Sequence, residues 1–216
     1  MNFIVSRIFS FFAWLLFYRE WCEFKKKLIN EYKVGAKNIP PALAQQLLIS
    51  GEDHRFFQHK GIDLIAICRA IWRRITSNKR EGASTIEMQI VRIISGRFEL
   101  TMRRKIREMA MATLLTTVVP KEHLPALYLQ IGYYGWHMNG FSEACRRLNV
   151  NIGIITQIEI AQLIARLKYP QSQFISQRRW DQINIRGQHL LRLYTKHKLD
   201  RTYKNFINAT PIYETI

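Results

Sequence analysis

The chain has 216 residues, of which 48% are hydrophobic, so it is long and apolar enough to bury a core without disulfide bonds or structural metals, which argues against a disordered chain. Lysine and arginine total 33 against 16 acidic residues, and this net charge of +17 predicts an anionic partner: nucleic acid, an anionic membrane surface or a phosphorylated substrate. The three cysteines are widely spaced among apolar neighbours and are expected to be buried free thiols.

Residues 1–22 are predicted to be a hydrophobic, membrane-associating segment, followed by one domain over residues 23–216. Residues 3–18 are almost entirely apolar, and as a helix they reach about 24 Å, which is short of the ~30 Å hydrocarbon core of a bilayer. Three placements therefore stay open: a span with local thinning, a helix in the interface, or a helix packed in the core. No small-residue cleavage site follows, which argues against a removable signal peptide.

The first motif follows a predicted helix at 42–50 and has the pattern E-D-x-x-F-x-x-H-x-G, beginning at Glu52. In helical geometry Glu52, Phe56 and His59 share one face, whereas Asp53 points about 100° away. The two acidic residues are therefore expected to have different roles.

Asp63 is predicted to cap the next helix, and residues 76–82 form a polar loop. Ser84 and Glu87 then have the S-x-x-E spacing of a capping box. The same geometry leaves backbone N–H groups beside Ser84 and Thr85, where a phosphate would bind. This helix start can therefore be stabilised by the capping box and also bind a phosphate.

A long helix is predicted at 102–118, and within it Arg104 and Lys105 lie close enough in sequence to share one patch with Glu108. In the helix that follows, Pro125 is expected to favour a kink. Further helices are predicted after a second capping box at Thr156, at 177–195 and at 200–207. No sustained alternation of polar and apolar residues predicts a sheet, so the fold class is mainly α.

Three motifs in this order resemble those of the family 51 glycosyltransferases, the peptidoglycan transglycosylases that occur alone or as one domain of bifunctional penicillin-binding proteins. The motif from Glu52 to Gly61 is followed by GASTIEMQIVR at 82–92, which resembles G-x-S-T-x-x-Q-Q-x-x-K, and by RKIRE at 104–108, which matches R-K-x-x-E. A fourth region, KEHLPALYLQ at 121–130, is similar to K-x-x-I-L-E-x-Y-L-N. The resemblance covers roughly residues 40–195.

This resemblance implies a lysozyme-like, two-lobed helical domain whose hydrophobic jaw leans on the bacterial inner membrane, with the catalytic domain on its periplasmic or outer face. Members of the family polymerise lipid II into glycan strands and release undecaprenyl pyrophosphate with inversion. The implied partners are lipid II, the growing glycan strand, the membrane and other cell-wall synthesis proteins.

By the same resemblance, Glu52 is expected to be the general base and Glu108 to act near the pyrophosphate. Two roles stay open for Glu108: orienting Arg104 and Lys105, or helping to hold a divalent cation such as Mg²⁺. The six histidines show no spacing that indicates a metal site. The remaining expected substrate contacts are Asp53, His59, Ser84, Thr85, Gln89, Arg92, Arg104 and Lys105.

The chain also departs from the family pattern, and these departures favour one alternative: a catalytically lapsed member that serves as a membrane-bound scaffold or lipid II binder. Arg92 replaces a lysine, which keeps the charge but changes its geometry. The other departures are Met88, Leu100, Ala126 and Gln130.

Two rival functions from other classes are weaker. A lysozyme-like hydrolase would use Glu52 as a proton donor, but a neutral leaving group needs no arginine and lysine cradle. A nucleic-acid binder is favoured by net charge alone, because the sequence has no zinc-finger or RNP pattern.

Overall fold

The protein is mainly helical in a computed structural model that describes residues 3–35, 38–78, 82–200 and 202–203. This confirms the fold class expected for a lysozyme-like transglycosylase domain. The helices are α1 (Phe3–Gly35), α2 (Ala42–Glu52), α3 (Leu64–Ser77), α4 (Ile86–Ser95), α5 (Met102–Leu115), α6 (Leu124–Ile131), α7 (Phe141–Arg147), α8 (Gln157–Lys168) and α9 (Gln177–Leu199). Two short 3₁₀ helices occupy Phe56–Gln58 and Lys121–His123, and two strands occupy β1 (Tyr133–Gly135) and β2 (Met138–Asn139).

The chain divides into two compact units. The first unit comprises residues 1–28 and 55–121, and the second unit comprises residues 29–54 and 122–216. Glu108 therefore lies in the first unit, whereas Glu52 lies in the second unit.

The first unit is built on the packing of α4 against α5. Met88 and Ile90 on α4 are fully buried, as are Ala112 and Leu115 on α5. Burying a side chain the size of Met88, Ile90 or Leu115 stabilises the fold by about 1.5–3 kcal/mol relative to leaving it in water. This core fixes the two helices that carry the second and third motifs.

The second unit is built on α8 and α9, with α2 packed against both. Three consecutive residues of α2, Leu47 to Ile49, are completely buried, so this helix has little freedom to move. A Cβ at Gly187 would lie 3.5 Å from the backbone of Ala161, an ordinary van der Waals distance, so α9 packs against α8 at this position. The rigid end of α2 carries Glu52.

The hydrophobic amino-terminal residues lie on α1, which departs from helical geometry at Phe17 (φ −121°, ψ 23°). Phe12 and Leu16 are 54% and 74% exposed on this helix. On α3, Trp72 and Ile75 are also largely exposed, and only Ala66 is buried. Among the described residues, no helix has the length and apolar character needed to cross a membrane.

Several predicted helix boundaries are confirmed and others are wrong. The Asp63 side chain caps α3 by accepting hydrogen bonds from two backbone N–H groups, and Thr156 forms the predicted capping box with Glu159. The kink predicted at Pro125 is wrong, because α6 begins one residue earlier and proline is tolerated in a first helical turn. The helix predicted at 200–207 lies outside the described residues except at positions 200, 202 and 203.

A small antiparallel hairpin was not predicted from the sequence. Tyr133 pairs with Asn139 and Gly135 pairs with Met138, and the turn places His137 in the left-handed region (φ 52°). Strands of three and two residues are too short to show an alternating pattern, so no periodic signal was available.

The three cysteines are free thiols, as expected, but they are not all buried. Cys145 is buried, which raises the pKa of its thiol to about 11, whereas Cys22 is half-buried and Cys68 is exposed. The prediction of a buried thiol is therefore wrong for Cys68, which lies on the poorly covered helix α3.

Candidate functional site

Glu108 is the centre of an ionic cluster in the first unit. Only 2% of this residue is exposed, and both of its carboxylate oxygens are occupied by arginine. Arg92 on α4 donates from Nε to Oε1 at 2.8 Å and from Nη2 to Oε2 at 3.1 Å. Arg104, one turn earlier on α5, donates to the same Oε1. Two positive charges are thus fixed by one buried carboxylate.

Lys105 extends this cluster toward the second motif. Its Nζ donates a hydrogen bond to the Ser84 hydroxyl at 2.7 Å. Burial lowers the pKa of Lys105, Glu108 raises it, and Arg92 and Arg104 lower it again, so the net direction is down. The structure therefore brings together Ser84, Arg92, Arg104, Lys105 and Glu108, all of which were predicted as site residues.

Thr85 has a structural role that the sequence analysis assigned to its neighbour. Its hydroxyl accepts from the Met88 N–H at 3.3 Å and so caps α4, whereas a capping box at Ser84 was predicted. The same hydroxyl donates to the carbonyl of Gly61 at 2.7 Å. Gly61 itself has φ +85°, and a Cβ there would lie 2.4 Å from the carbonyl oxygen of Ala112. The end of the first motif is thereby packed against both α4 and α5.

Glu87 lies in the first turn of α4, at the helix end where it was predicted, and it is completely buried. Its Oε1 accepts from Lys121 Nζ at 2.5 Å, and the same ammonium lies 4.1 Å from the centre of the Phe56 ring. This contact joins the first motif, the second motif and the start of the fourth region. Sequence reasoning missed it because no local spacing connects these three positions.

Glu52 forms an ion pair with Arg186, a residue that lies in none of the motifs. Arg186 on α9 donates from Nη2 to Glu52 Oε1 at 3.0 Å and to the Gly51 carbonyl at 2.9 Å. A Cβ at Gly51 would lie 2.3 Å from Leu190 Cδ2 and 3.0 Å from Arg186 Nη2, so the glycine makes room for this contact. The Glu52 side chain keeps 24% of its surface exposed and is accessible to a small polar group.

A buried polar group supports the last turn of α2. The Ser50 hydroxyl hydrogen-bonds to His197 Nδ1 at 3.0 Å and to the Tyr203 hydroxyl, which in turn donates to the Gln46 carbonyl at 3.2 Å. The His54 ring stacks on His197 with centres 5.5 Å apart. Burial is the main cause of a lowered pKa for His197, and burial raises the pKa of Tyr203 to about 12.

The remaining predicted substrate contacts are Asp53, His59 and Gln89. Asp53 is buried and caps the carboxyl end of α2, with its N–H donating to the Ile49 carbonyl at 2.9 Å. His59 is buried in the first unit, with its ring edge-on to Phe56. Gln89 is half-buried on α4. Their roles toward a substrate stay predictions.

The departures from the family pattern have individual structural explanations. Met88 is core, and Ala126 is buried with 6% exposure. Gln130 donates from Nε2 to the backbone carbonyls of Gly35 and Asn38, the latter at 2.8 Å. Leu100 is 96% exposed. The first three positions therefore serve packing and chain anchoring in this protein.

Comparison with known proteins gives consistent matches. The family profile described as Transglycosylase matches residues 21–194. A penicillin-binding protein 1A of Rickettsia typhi is 34% identical over 155 residues, which is 67% of this chain and 20% of that protein. A penicillin-binding protein 1A of Clostridium perfringens is 32% identical over 149 residues, covering 66% of this chain and 22% of that protein. The chain thus spans about a fifth of the length of these relatives.

Proposed function

Because the chain belongs to the transglycosylase family, as the three motifs predicted, we propose that it is a peptidoglycan glycosyltransferase that polymerises lipid II and releases undecaprenyl pyrophosphate. One observation carries the proposal: Glu108 gathers Arg92 and Arg104 beside the Lys105 and Ser84 pair. A positively charged site of this kind suits a departing pyrophosphate, because fixed cations stabilise the negative charge that develops on it.

In the proposed inverting hexosyl transfer, the 4-hydroxyl oxygen of the acceptor sugar forms a bond to the anomeric carbon of the donor. The bond from that carbon to the pyrophosphate oxygen breaks, and the electron pair leaves with the pyrophosphate. Glu52 takes the proton of the attacking hydroxyl as general base. Its partial exposure and its fixed backbone position at the end of α2 support this role.

Glu108 does not suit a divalent cation in this arrangement. Both of its oxygens already accept hydrogen bonds from Arg92, and Arg104 adds a second positive charge. A further cation would meet strong repulsion there. We therefore propose that Glu108 orients arginines, and no step of the proposed reaction passes through a metal. A requirement for Mg²⁺ stays a prediction that polymerisation in the presence of a chelator would test.

The decisive experiment is polymerisation of labelled lipid II by the purified protein and by Glu52→Gln. We expect the native chain to form glycan strands and the variant to lose turnover by about 10²-fold or more, because an amide cannot accept the proton. Glu143→Gln is a matched control, since Glu143 is partly exposed and pairs only with Arg146 among the described residues. Near-normal turnover by a folded Glu52→Gln protein would contradict the assignment.

The same assay separates the alternative of a lapsed enzyme that binds lipid II as a scaffold. The packing roles of Met88, Ala126 and Gln130 support activity, because Met88 and Ala126 are buried in the core and Gln130 donates to two backbone carbonyls. Tight binding of lipid II with no turnover in the native chain would instead favour the scaffold.

We further propose that the protein works at the outer face of the bacterial cytoplasmic membrane and that residues 1–22 contribute to attachment. Exposed apolar side chains on α1, such as Phe12 and Leu16, support this. Burying them in lipid yields several kcal/mol at about 25 cal/mol per Å². Flotation with liposomes is expected to carry the full chain but not a chain that lacks residues 1–18. Equal flotation of both would contradict the proposed anchor.

A further inference from the structure

A basic patch of the second unit lies where the end of α8 meets the start of α9, and none of its residues belongs to the site proposed above. The patch consists of Arg166, Lys168, Tyr169, Arg179 and Trp180. The Arg166 guanidinium lies 5.8 Å from the centre of the Trp180 ring. The Lys168 ammonium and the Arg179 guanidinium each lie 5.8 Å from the centre of the Tyr169 ring. Three cations and two aromatic rings are thus joined by mutual contacts.

Arg166 is a buried cation whose hydrogen-bond partners are neutral. It is 4% exposed. Its Nε donates to Gln171 Oε1 at 2.9 Å and its Nη1 donates to the Gln162 carbonyl at 2.8 Å, whereas no described group accepts a hydrogen bond from its Nη2. Burial lowers the pKa of Arg166 to about 10, so the guanidinium stays charged at neutral pH. A buried charge without a carboxylate is costly, and an anion from outside the chain would offset that cost.

The other two cations of the basic patch also lack an acidic partner. Lys168 is exposed and Arg179 is half-buried, and neither forms an ion pair with any acidic side chain that the structure describes. Residues 160–180 contain no aspartate or glutamate. The first acidic residue beyond them, Asp181, accepts a hydrogen bond from Gln177 at 2.9 Å. The positive charge of this surface is therefore open to an external anion.

The geometry of the basic patch favours an acidic polypeptide as that anion. The planar edge of a guanidinium binds a carboxylate through parallel hydrogen bonds. A small free carboxylate would meet one cation at a time, whereas a segment with several carboxylates can reach all three. A single-stranded nucleic acid would need open ring faces on which its bases could stack, but cations already lie over the Tyr169 and Trp180 rings. Tryptophan, tyrosine and arginine are also the residues that contribute most to protein–protein binding.

We propose that the basic patch binds an acidic segment of a partner protein, with one carboxylate on the Arg166 guanidinium and others on Lys168 and Arg179. A second copy of this chain is a poor partner, because each copy carries a net charge of +17. The contact needs neither lipid II nor glycosyl transfer. The proposal therefore stands or falls independently of the proposed function.

The first test locates the binding of an acidic probe on the full chain. The chain is labelled with 5-fluorotryptophan, kept in neutral detergent and titrated with an octaglutamate peptide, while the fluorine signals of its five tryptophans are followed. Tryptophan-to-phenylalanine variants assign the signals. We expect the Trp180 signal to shift with peptide concentration, because its ring lies against Arg166. The signal of Trp72, which is 68% exposed on α3 of the first unit, is expected to stay in place.

The second test compares two double variants that remove the same charge. Lys168→Gln with Arg179→Gln is expected to weaken octaglutamate binding about fivefold, since each partly exposed ion pair contributes modestly. The matched control, Arg192→Gln with Lys198→Gln, changes one exposed arginine and one exposed lysine farther along α9. It is expected to change binding by less than about twofold, because salt screens charges that do not touch the peptide.

A third comparison tests the buried cation itself. Arg166→Gln is expected to weaken octaglutamate binding about tenfold, and Arg166→Lys is expected to recover part of the loss, because it keeps the charge but not the planar fork. Thermal midpoints of both variants are measured alongside. If Arg166→Gln does not fold, the double variant of Lys168 and Arg179 still decides the proposal.

Four outcomes would overturn the proposal. Equal losses in the two double variants would show that net charge alone attracts the peptide. A shift of the Trp72 signal with an unchanged Trp180 signal would place the peptide on another surface. Tighter binding of octathymidylate than of octaglutamate, weakened by Lys168→Gln with Arg179→Gln, would assign the basic patch to nucleic acid. The absence of octaglutamate binding by the native chain at low salt and millimolar peptide would exclude an acidic partner at this patch.

Discussion

The two carboxylates that the motifs single out, Glu108 and Glu52, sit in opposite environments. Glu108 is 2% exposed and accepts hydrogen bonds from Arg92 at both oxygens and from Arg104 at one. Glu52 keeps a quarter of its side-chain surface and is held by Arg186 at one oxygen. A buried carboxylate between two guanidinium groups serves as an anchor for positive charge. A partly exposed carboxylate is placed to meet a reactant.

The largest expected difference between the two carboxylates is the loss of stability when Glu108 is removed. Glu108→Ala leaves two arginines without their partner in a mostly buried site, and we expect the free energy of unfolding to fall by about 3–5 kcal/mol. Glu52→Gln is expected to cost about 1 kcal/mol or less, because its ion pair is partly exposed. Urea unfolding of both variants measures the difference. Equal destabilisation would mean that the two carboxylates serve the fold alike.

A second experiment tests whether Arg186 positions the Glu52 carboxylate for catalysis. Arg186→Met removes the donor that positions its carboxylate, and we expect turnover of lipid II to fall by about tenfold through misplacement of the base. Arg186→Lys keeps the charge but loses the planar fork, so a partial recovery is expected. The ratio of kcat to KM effects is the readout. A change confined to stability would make Arg186 a packing residue only.

The smallest expected effect concerns acid sensitivity of the unit that carries Glu52. The folded pKa of His197 lies below its ordinary 6.5, mainly through burial, with His54 and Lys196 lowering it and Asp200 raising it. The neutral ring is therefore favoured in the folded state. Its contribution to stability is complete above pH ~6.5 and is lost as the pH falls through the folded pKa, because the unfolded chain then binds the proton more readily.

Comparison of the native chain with His197→Asn isolates this contribution. The native free energy of unfolding is expected to fall more steeply between pH 7 and pH 5 than that of the variant. His189 and His123 also have lowered pKa values and contribute to both proteins equally. Parallel pH profiles would show that His197 does not titrate against folding.

The features that the sequence predicted correctly depend on short spacing. Asp63 caps α3 and Thr156 forms its capping box because the partners lie within three residues, so local backbone geometry decides them. The closeness of Arg104 and Glu108 was also predicted, since they are one helical turn apart, whereas Ser84 and Arg92 were assigned to the site only through the family resemblance.

The features that the sequence did not predict depend on chain folding over long distances. Arg186 reaches Glu52 from 134 residues away, and Lys121 reaches Glu87 from 34 residues away. The choice between Ser84 and Thr85 as the cap was decided by a tertiary bond to the Gly61 carbonyl. Serine and threonine are both favoured N-cap residues, so the local sequence could not decide which of these two neighbours caps α4.

Gly61 is a position where intolerance to substitution has a structural cause and not a catalytic one. Its left-handed backbone and the 2.4 Å approach of any Cβ to the Ala112 carbonyl leave no allowed alternative residue. A saturation library selected for polymerisation of lipid II is therefore expected to return only glycine at this position, with the same intolerance as the proposed role of Glu52 predicts there. Screens of expressed soluble protein would separate the two, since Gly61 variants fail to accumulate while Glu52→Gln accumulates normally. Mutational tolerance alone would assign a catalytic role to a residue whose function is to let two backbones touch.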